Sequence, residues 1–541
     1  MLPLPQINSA ENKLTQSHRL HSAWLGLLII VVLPLGLFFR FTNLDKKFYS
    51  HDEAFSSLRT SGYSAAEVIE QIFDGHEIGI KELQRYQRPN TEKGLIDTIT
   101  SLATEEPHQP PLYFLLARIW MQLWMQWFGN PVAVMRSLTA LISLLVIPCL
   151  YWLCVELFQT RMTVLIALAL ISVSPFHVLY AQDARTYALW TVVILLSSAA
   201  LLRAIRLNTA RSWGIYAMAT ALGFYSHLLF GLVAIAHGFY TMASQNFRLT
   251  KVFAAYVLTS FLAVLAFTPW VLVIVTHFPQ ILASTPWASF PFGALRLVHQ
   301  WILNFTSPFL DVDFGSHNIM TYLIRLPVLI LVGCSLYSLC RRSPKRIWMF
   351  VLTLIGVPAI ALMLPDLILG GRRSVSAQYL LPCYLGIQLA VGHFLATQLA
   401  SIDSPRCKIW QVVAAVLIIG GVLSCVISSR AENWWNKDRG VANPEVAHAI
   451  NQASHPLLIV GYPWPHNLGD VFSLSYLLDS KVRLKLAVDP NAIIISDGFS
   501  DVFLFDSSYS LWEKLEKEKH YRLESIIPDR LWRLVPKGPT N

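Results

Sequence analysis

Two adjacent carboxylates, Asp52 and Glu53, follow closely on the first long apolar run, within Ser50-His51-Asp52-Glu53-Ala54-Phe55. A carboxylate there suits a general base, taking a proton from an acceptor hydroxyl or amine. The plainer reading is a capping box, with Ser50 and Glu53 three residues apart and acids in a first helical turn. A capping box spends Glu53 on the Ser50 amide and leaves Asp52 outside the cap. The same spacing recurs at Ser64 and Glu67, which predicts two short capped helices broken at Gly62.

A second constellation is Tyr180-Ala181-Gln182-Asp183-Ala184-Arg185-Thr186-Tyr187. Asp183 fits an N-cap and Arg185 a side chain snorkelling to an interface. Read chemically, Asp183 supplies a further acid, and the Arg185 fork suits a phosphate. A third is Gly370-Gly371-Arg372-Arg373-Ser374, followed by Gln378 and Tyr379. Its paired arginines fit an anionic lipid head group or a leaving phosphate. His108-Gln109-Pro110-Pro111, Arg136 and His227 are weaker signals; the two prolines end one helix and begin another. No H-E-x-x-H or C-x-x-C spacing and no glycine-rich phosphate loop occurs, so no metal site or cofactor is expected. The oxygens of Asp52, Glu53 and Asp183 keep a divalent cation open as an alternative.

The elements that must carry these residues are mostly apolar. The chain has 541 residues, of which 54% are hydrophobic and 14% charged; soluble proteins carry about 25% charged residues. Mean hydropathy is +0.48. Spans are expected at about 23–41, 132–157, 162–180, 186–205, 212–226, 228–245, 252–275, 319–340, 346–365, 376–398 and 409–428. The stretch 111–128 is ambiguous, with Trp120, Trp124 and Trp127 and a central Arg118.

Charge arbitrates. If 111–128 does not span, five basic clusters fall on the side of the N-terminus: Arg161; Arg203, Arg206 and Arg211; Arg248 and Lys251; Arg341, Arg342, Lys345 and Arg346; Arg406 and Lys408. That side is then cytoplasmic, and 111–128 becomes an interfacial helix. The net charge of +9 reflects these clusters rather than a nucleic-acid surface. The expected organisation is a cytoplasmic tail (1–22), an all-α membrane domain of about eleven spans (23–428) with an outer loop at 42–131, and a small extracytoplasmic α/β domain (429–541). The last reads as helix 444–453, strand 457–461, helix 471–478, strand 482–488, strand 501–505, helix 511–519 and two terminal strands. No cleavable signal peptide is evident, and cysteines are absent from the polar segments 45–110 and 429–541.

Taken together, Asp52-Glu53, His108-Gln109-Pro110-Pro111-Leu112-Tyr113, Gln182-Asp183-Ala184-Arg185 and Tyr379-Leu380-Leu381-Pro382 resemble the GT-C glycosyltransferases. Within them the pattern is similar to the protein O-mannosyltransferase and aminoarabinose transferase-like branch, family 39-like. The resemblance covers roughly 23–400 and leaves the tail outside. It implies a GT-C fold, a polyprenyl- or dolichyl-phosphate sugar donor, and inverting transfer of a hexose or pentose at the outer face of the plasma (inner) membrane. The acceptor would be a protein, a lipid or a glycan. Asp52 would act as base, with Glu53 and Asp183 beside it. His108, Gln182, Arg185, His227, Arg372, Arg373 and Tyr379 would bind substrate. Many relatives carry Arg where this chain has Gln378, so phosphate binding shifts to Arg372 or Arg373. The competing reading is a transporter or flippase of lipid-linked sugars, but transporters carry ionisable groups near the bilayer midplane, whereas here they fall at span ends.

Overall fold

The apolar runs form helices. A computed structural model describes residues 30–312, 314–315, 318–400, 406–437, 439–461, 465–506, 509–517 and 521–536. The 1–22 tail and the start of the first expected span lie outside the described residues. The chain divides into two compact units: residues up to Thr42 with Thr139–Arg430, and Asn43–Leu138 with Ala431 onward.

Among the described residues the expected spans fall on helices, but fewer than the expected eleven are long and apolar enough to cross a membrane. Seven helices among the described residues are long and apolar enough to cross a membrane: Pro131–Phe158, Tyr187–Leu207, Lys251–Thr276, Ile319–Arg342, Lys345–Ile368, Ala377–Leu399 and Cys407–Arg430. Arg161–Ser172 and Pro175–Ala181 make an eighth candidate, bent by 56°. Ile30–Phe41 and Phe230–Ser244 are shorter apolar helices, and the expected span 212–226 lies on helix Ala210–Ser226, which is not among those long and apolar enough to cross. Tyr187–Leu207 and Ala377–Leu399 are the central helices, 83% and 89% buried, whereas Lys251–Thr276, 22% buried, presents its side chains outward. The core runs through Ala169, Leu170, Val391 and Leu395.

The bend positions the second constellation. Pro175 has no N–H, so carbonyls of the preceding turn lose their helical partner, and in lipid each needs another. Arg40 supplies it, donating through Nη1 to Ser172 O at 2.6 Å and through Nη2 to Ile171 O at 3.3 Å. Gly36 permits the approach, because a Cβ there would lie 2.3 Å from Ser172 O. In return Gln182 Nε2 donates to Phe39 O and Thr42 O, each at 2.7 Å. The first helix and the bent pair cap one another.

The second unit joins the first polar loop to the tail. Both expected capping boxes form, at Ser50/Glu53 and Ser64/Glu67, on helices His51–Ser61 and Ala65–Ile72, with Gly62 as a left-handed cap between them. Pro111 is the N-cap of helix Leu112–Phe128. That helix is not among those long enough to cross. Arg118, buried within it, donates to Thr60 O at 3.1 Å and to Lys93 O, while Trp127 and Phe128 remain exposed.

The tail elements arise close to their expected positions: β2 (Pro456–Val460), β3 (Arg483–Ala487), β4 (Asp501–Phe505), β5 (Tyr521–Ile527) and β6 (Leu531–Pro536). β2 lies between β3 and β4, parallel to both, and all five of its residues are buried, as expected of a strand covered on two faces. The sheet also takes a strand from the polar loop, which sequence reading missed. β1 (Asp74–Gly79) pairs antiparallel with β3, Ile78 opposite Leu484, giving the order β1-β3-β2-β4-β6-β5.

Candidate functional site

The two loop acids have opposite environments. Asp52 is exposed in the first turn of its helix. Glu53, one residue on, has no exposed surface. Its Oε1 accepts from Arg136 Nε at 2.8 Å, and its Oε2 from Arg136 Nη2 at 2.7 Å and Lys437 Nζ at 2.6 Å. Oε2 also accepts the Ser50 amide at 3.1 Å. Arg136 spends its remaining donors on the carbonyls of Leu44 (2.7 Å), Lys47 (2.8 Å) and Phe48 (3.0 Å). The expectation that Glu53 stands beside Asp52 at the reacting centre is therefore corrected. Its carboxylate is enclosed and saturated by two cations and an amide. Burial, and after it the charge of Glu53, hold the Tyr49 phenol well above its ordinary pKa.

On the other flank, His51 Nδ1 lies 3.0 Å from Asp470 Oδ1, with both residues buried. Arg530 Nη1 approaches Asp470 Oδ2 at 3.8 Å and Asp506 Oδ2 at 3.4 Å. Burial, then Asp470, push the Asp506 carboxyl up against the opposing pull of Arg530. His108 is half-buried in the turn between helices Leu95–Glu105 and Leu112–Phe128.

In the first unit the Gln182–Arg185 turn ends the bent pair. The Gln182 Nε2 donors are taken by the carbonyls described above, which ties this turn to the end of the first helix. Asp183 is buried, and its carbonyl accepts the Arg185 amide at 2.7 Å. The half-buried Arg185 guanidinium sits 5.5 Å from the Tyr187 ring centroid. His227 stacks on Trp190 with centroids 4.1 Å apart and planes at 9°. Tyr379 lies 6.2 Å from His227 and 6.2 Å from Trp287, and Tyr180 donates to Gln378 at 2.9 Å. The sequence-predicted Asp183–Arg185 turn, His227 and Tyr379 are thus linked through an aromatic cluster.

The paired arginines are split. Arg373 Nη1 meets the buried Asp366 at 3.1 Å, and Asp366 also accepts the Ser374 amide and hydroxyl, both at 2.7 Å. Arg372 has no carboxylate partner among the described residues; its guanidinium lies 5.9 Å from the Phe292 ring centroid. Asp366, Lys437 and Asp470 were not anticipated. Asp366 had a signal, being a lone acid in an apolar run; the other two had none. Among the described residues no group of three or more His, Cys, Asp or Glu is disposed to hold a metal ion.

Residues 108–273 match the family model of dolichyl-phosphate-mannose-protein mannosyltransferase, about a third of the chain, which includes His108, Arg136, Asp183, Arg185 and His227. No curated protein sequence matches the chain. Among solved structures it is similar to ArnT from Cupriavidus metallidurans bound to undecaprenyl phosphate, at 14% identity and TM-score 0.53, covering 95% of this chain and 98% of that one. The apo state of the same protein gives 13% and 0.54 over the same shares. The apo oligosaccharyltransferase of Archaeoglobus fulgidus gives 12% and 0.50, covering 87% of this chain and 65% of that one. At these identities the likeness is one of fold. The chain thus has the fold of these structures and apolar helices enough for a multi-pass membrane protein, and its segment 108–273 resembles the mannosyltransferase family model.

Proposed function

We propose that the protein moves a sugar from a polyprenyl-phosphate carrier to a hydroxyl or amine of a protein, lipid or glycan acceptor, at the outer face of the plasma (inner) membrane. The observation that carries this reading is the contrast within the acidic pair: Glu53 is locked away, and Asp52 is presented at the surface of a rigidly capped helix. In the proposed step the Asp52 carboxylate takes the acceptor proton as the acceptor attacks the anomeric carbon. The bond from that carbon to the phosphate oxygen breaks, and the carrier phosphate leaves with the electron pair. One displacement inverts the anomeric centre.

Arg372, with no carboxylate partner among the described residues, is suited to the leaving phosphate, where a preorganised cation counts most in a dry site. Arg185 is the second phosphate ligand. Tyr379 and His227 offer ring faces to the sugar or the prenyl chain, Asp183 orients Arg185 through the turn, and His108 is a further substrate-binding residue. The ArnT comparison, in which that protein binds undecaprenyl phosphate, supports the choice of carrier. The outer face rests on the basic clusters. Arg203 and Arg206 end helix Tyr187–Leu207 and Arg341 and Arg342 end Leu326–Arg342, whereas Gln182 and Gly371 lie at the alternate helix ends, and the charge rule puts the basic ends inside.

The test is reconstitution of the full chain in vesicles with a panel of undecaprenyl-phosphate-linked hexoses and pentoses, following release of undecaprenyl phosphate and the anomeric configuration of the product. The reading requires release with an inverted product for at least one donor. Translocation of intact donor without bond cleavage would replace it with a flippase.

A further inference from the structure

Asp52 is bracketed by the tail. The residue before it, His51, meets Asp470, and the residue after it, Glu53, meets Lys437, through the two short contacts given above. Asp470 and Lys437 both come from beyond Ala431, more than 380 positions along the chain. All four side chains are buried. The approach to His51 is close: a Cβ on Gly469 would lie 2.6 Å from the His51 ring and 2.6 Å from Phe55. Asp470 is itself fixed. Its carbonyl accepts from Asn443 Nδ2 at 3.0 Å, and the same Nδ2 lies 3.0 Å from Ser473 Oγ. Ser473 in turn donates to the Tyr49 carbonyl.

Apolar packing alone would hold a tail against a loop. Burying charged groups carries a desolvation cost that packing avoids, so their placement on the two residues flanking Asp52 needs another reason. Pinning the side chains at consecutive flanks fixes the rotation of the first helical turn, and with it the direction of the intervening carboxylate. A misplacement of about 1 Å at a reacting group can cost about a hundredfold in rate.

We infer that Lys437 and Asp470 are positioning residues for Asp52, so that the tail domain sets the aim of the base. The inference rests on Asp52 being that base. Three variants test it in the full chain: Lys437→Met leaves Glu53 its Arg136 partner, Asp470→Asn keeps a hydrogen-bond acceptor for His51, and Lys437→Arg restores a cation. Turnover is read as undecaprenyl phosphate release from the active member of the donor panel, and ground-state binding as affinity for undecaprenyl phosphate itself. The expected result is turnover lower by about 10–100-fold for Lys437→Met and for Asp470→Asn, affinity within about twofold of wild type, and recovery of most of the rate in Lys437→Arg.

Unchanged turnover in both variants overturns the inference, as does a loss that only tracks the fraction of folded protein by size exclusion, or Lys437→Arg being as slow as Lys437→Met. Asp52→Asn in the same assay separates the two levels. If it is inactive while the tail variants run at full rate, the positioning role fails and the base stands; if it too runs at full rate, both fall.

Discussion

Glu53→Gln and Asp52→Asn are the same chemical change at adjacent positions, and they should give opposite phenotypes. Glu53 accepts Arg136 Nε and Nη2 at 2.8 and 2.7 Å and Lys437 Nζ at 2.6 Å. Neither side chain of the Arg136 pair is more than 1% exposed. An amide leaves two buried cations without their anion and turns an NH2 toward donors. Breaking a buried pair in this way costs about 3–5 kcal/mol. That is a large part of a typical domain stability of about 5–15 kcal/mol. Domains of about 150–250 residues lose roughly 2–4 °C per kcal/mol, so the unfolding midpoint of this unit should fall by roughly 6–20 °C. Asp52, exposed, should change stability by no more than about 0.5 kcal/mol when made Asn. The assay is thermal unfolding of detergent-purified protein, read by intrinsic fluorescence. A Glu53→Gln protein as stable as wild type, or an Asp52→Asn protein equally destabilised, would refute the division of labour between the two acids.

Other outcomes follow from the same contacts. Arg372→Ala should weaken undecaprenyl phosphate binding by about tenfold or more, measured by titration. Arg373→Ala should act mainly on stability, since it strips the partner from buried Asp366; a larger binding loss there than at Arg372 would reverse the assignment. Arg40→Met should cost about 1–3 kcal/mol per carbonyl left without a donor, seen in denaturant unfolding. Glu67 gives a pH dependence. Burial raises its pKa, but hydrogen bonds from Lys93 and Ser64 outweigh that and hold it below 4.5. Its stabilising contribution is complete above 4.5 and drains as pH falls through the depressed value. Lys93→Met should flatten the acid limb of stability against pH, and an unchanged limb would show that the pair contributes nothing.

What could be read from the sequence was local. The capping boxes at Ser50 and Ser64, the break at Gly62 and the helix start at Pro111 depend on residues three or four apart, and all formed. The tail strands were legible because β2 is a continuous apolar run. β1 was not: Asp-Gly-His-Glu-Ile-Gly has no apolar alternation, and it is a strand because β3 offers it an edge. The fate of Glu53 was half legible. Its bond to the Ser50 amide followed from spacing, but its stronger partners lie 83 and 384 residues away, and no local pattern encodes them. Arg372 and Arg373 looked alike in sequence. They differ because Asp366, seven residues before Arg373, folds back across the Gly370-Gly371 turn to take one and leave the other.

The most direct test of the central claim is the turnover of Asp52→Asn against wild type in vesicles, with the insertion and unfolding midpoint of both matched beforehand. Loss of a general base predicts a rate lower by about 10²–10⁴-fold with undecaprenyl phosphate still bound at near wild-type affinity. A correctly inserted Asp52→Asn protein that transfers sugar at the wild-type rate would contradict the account.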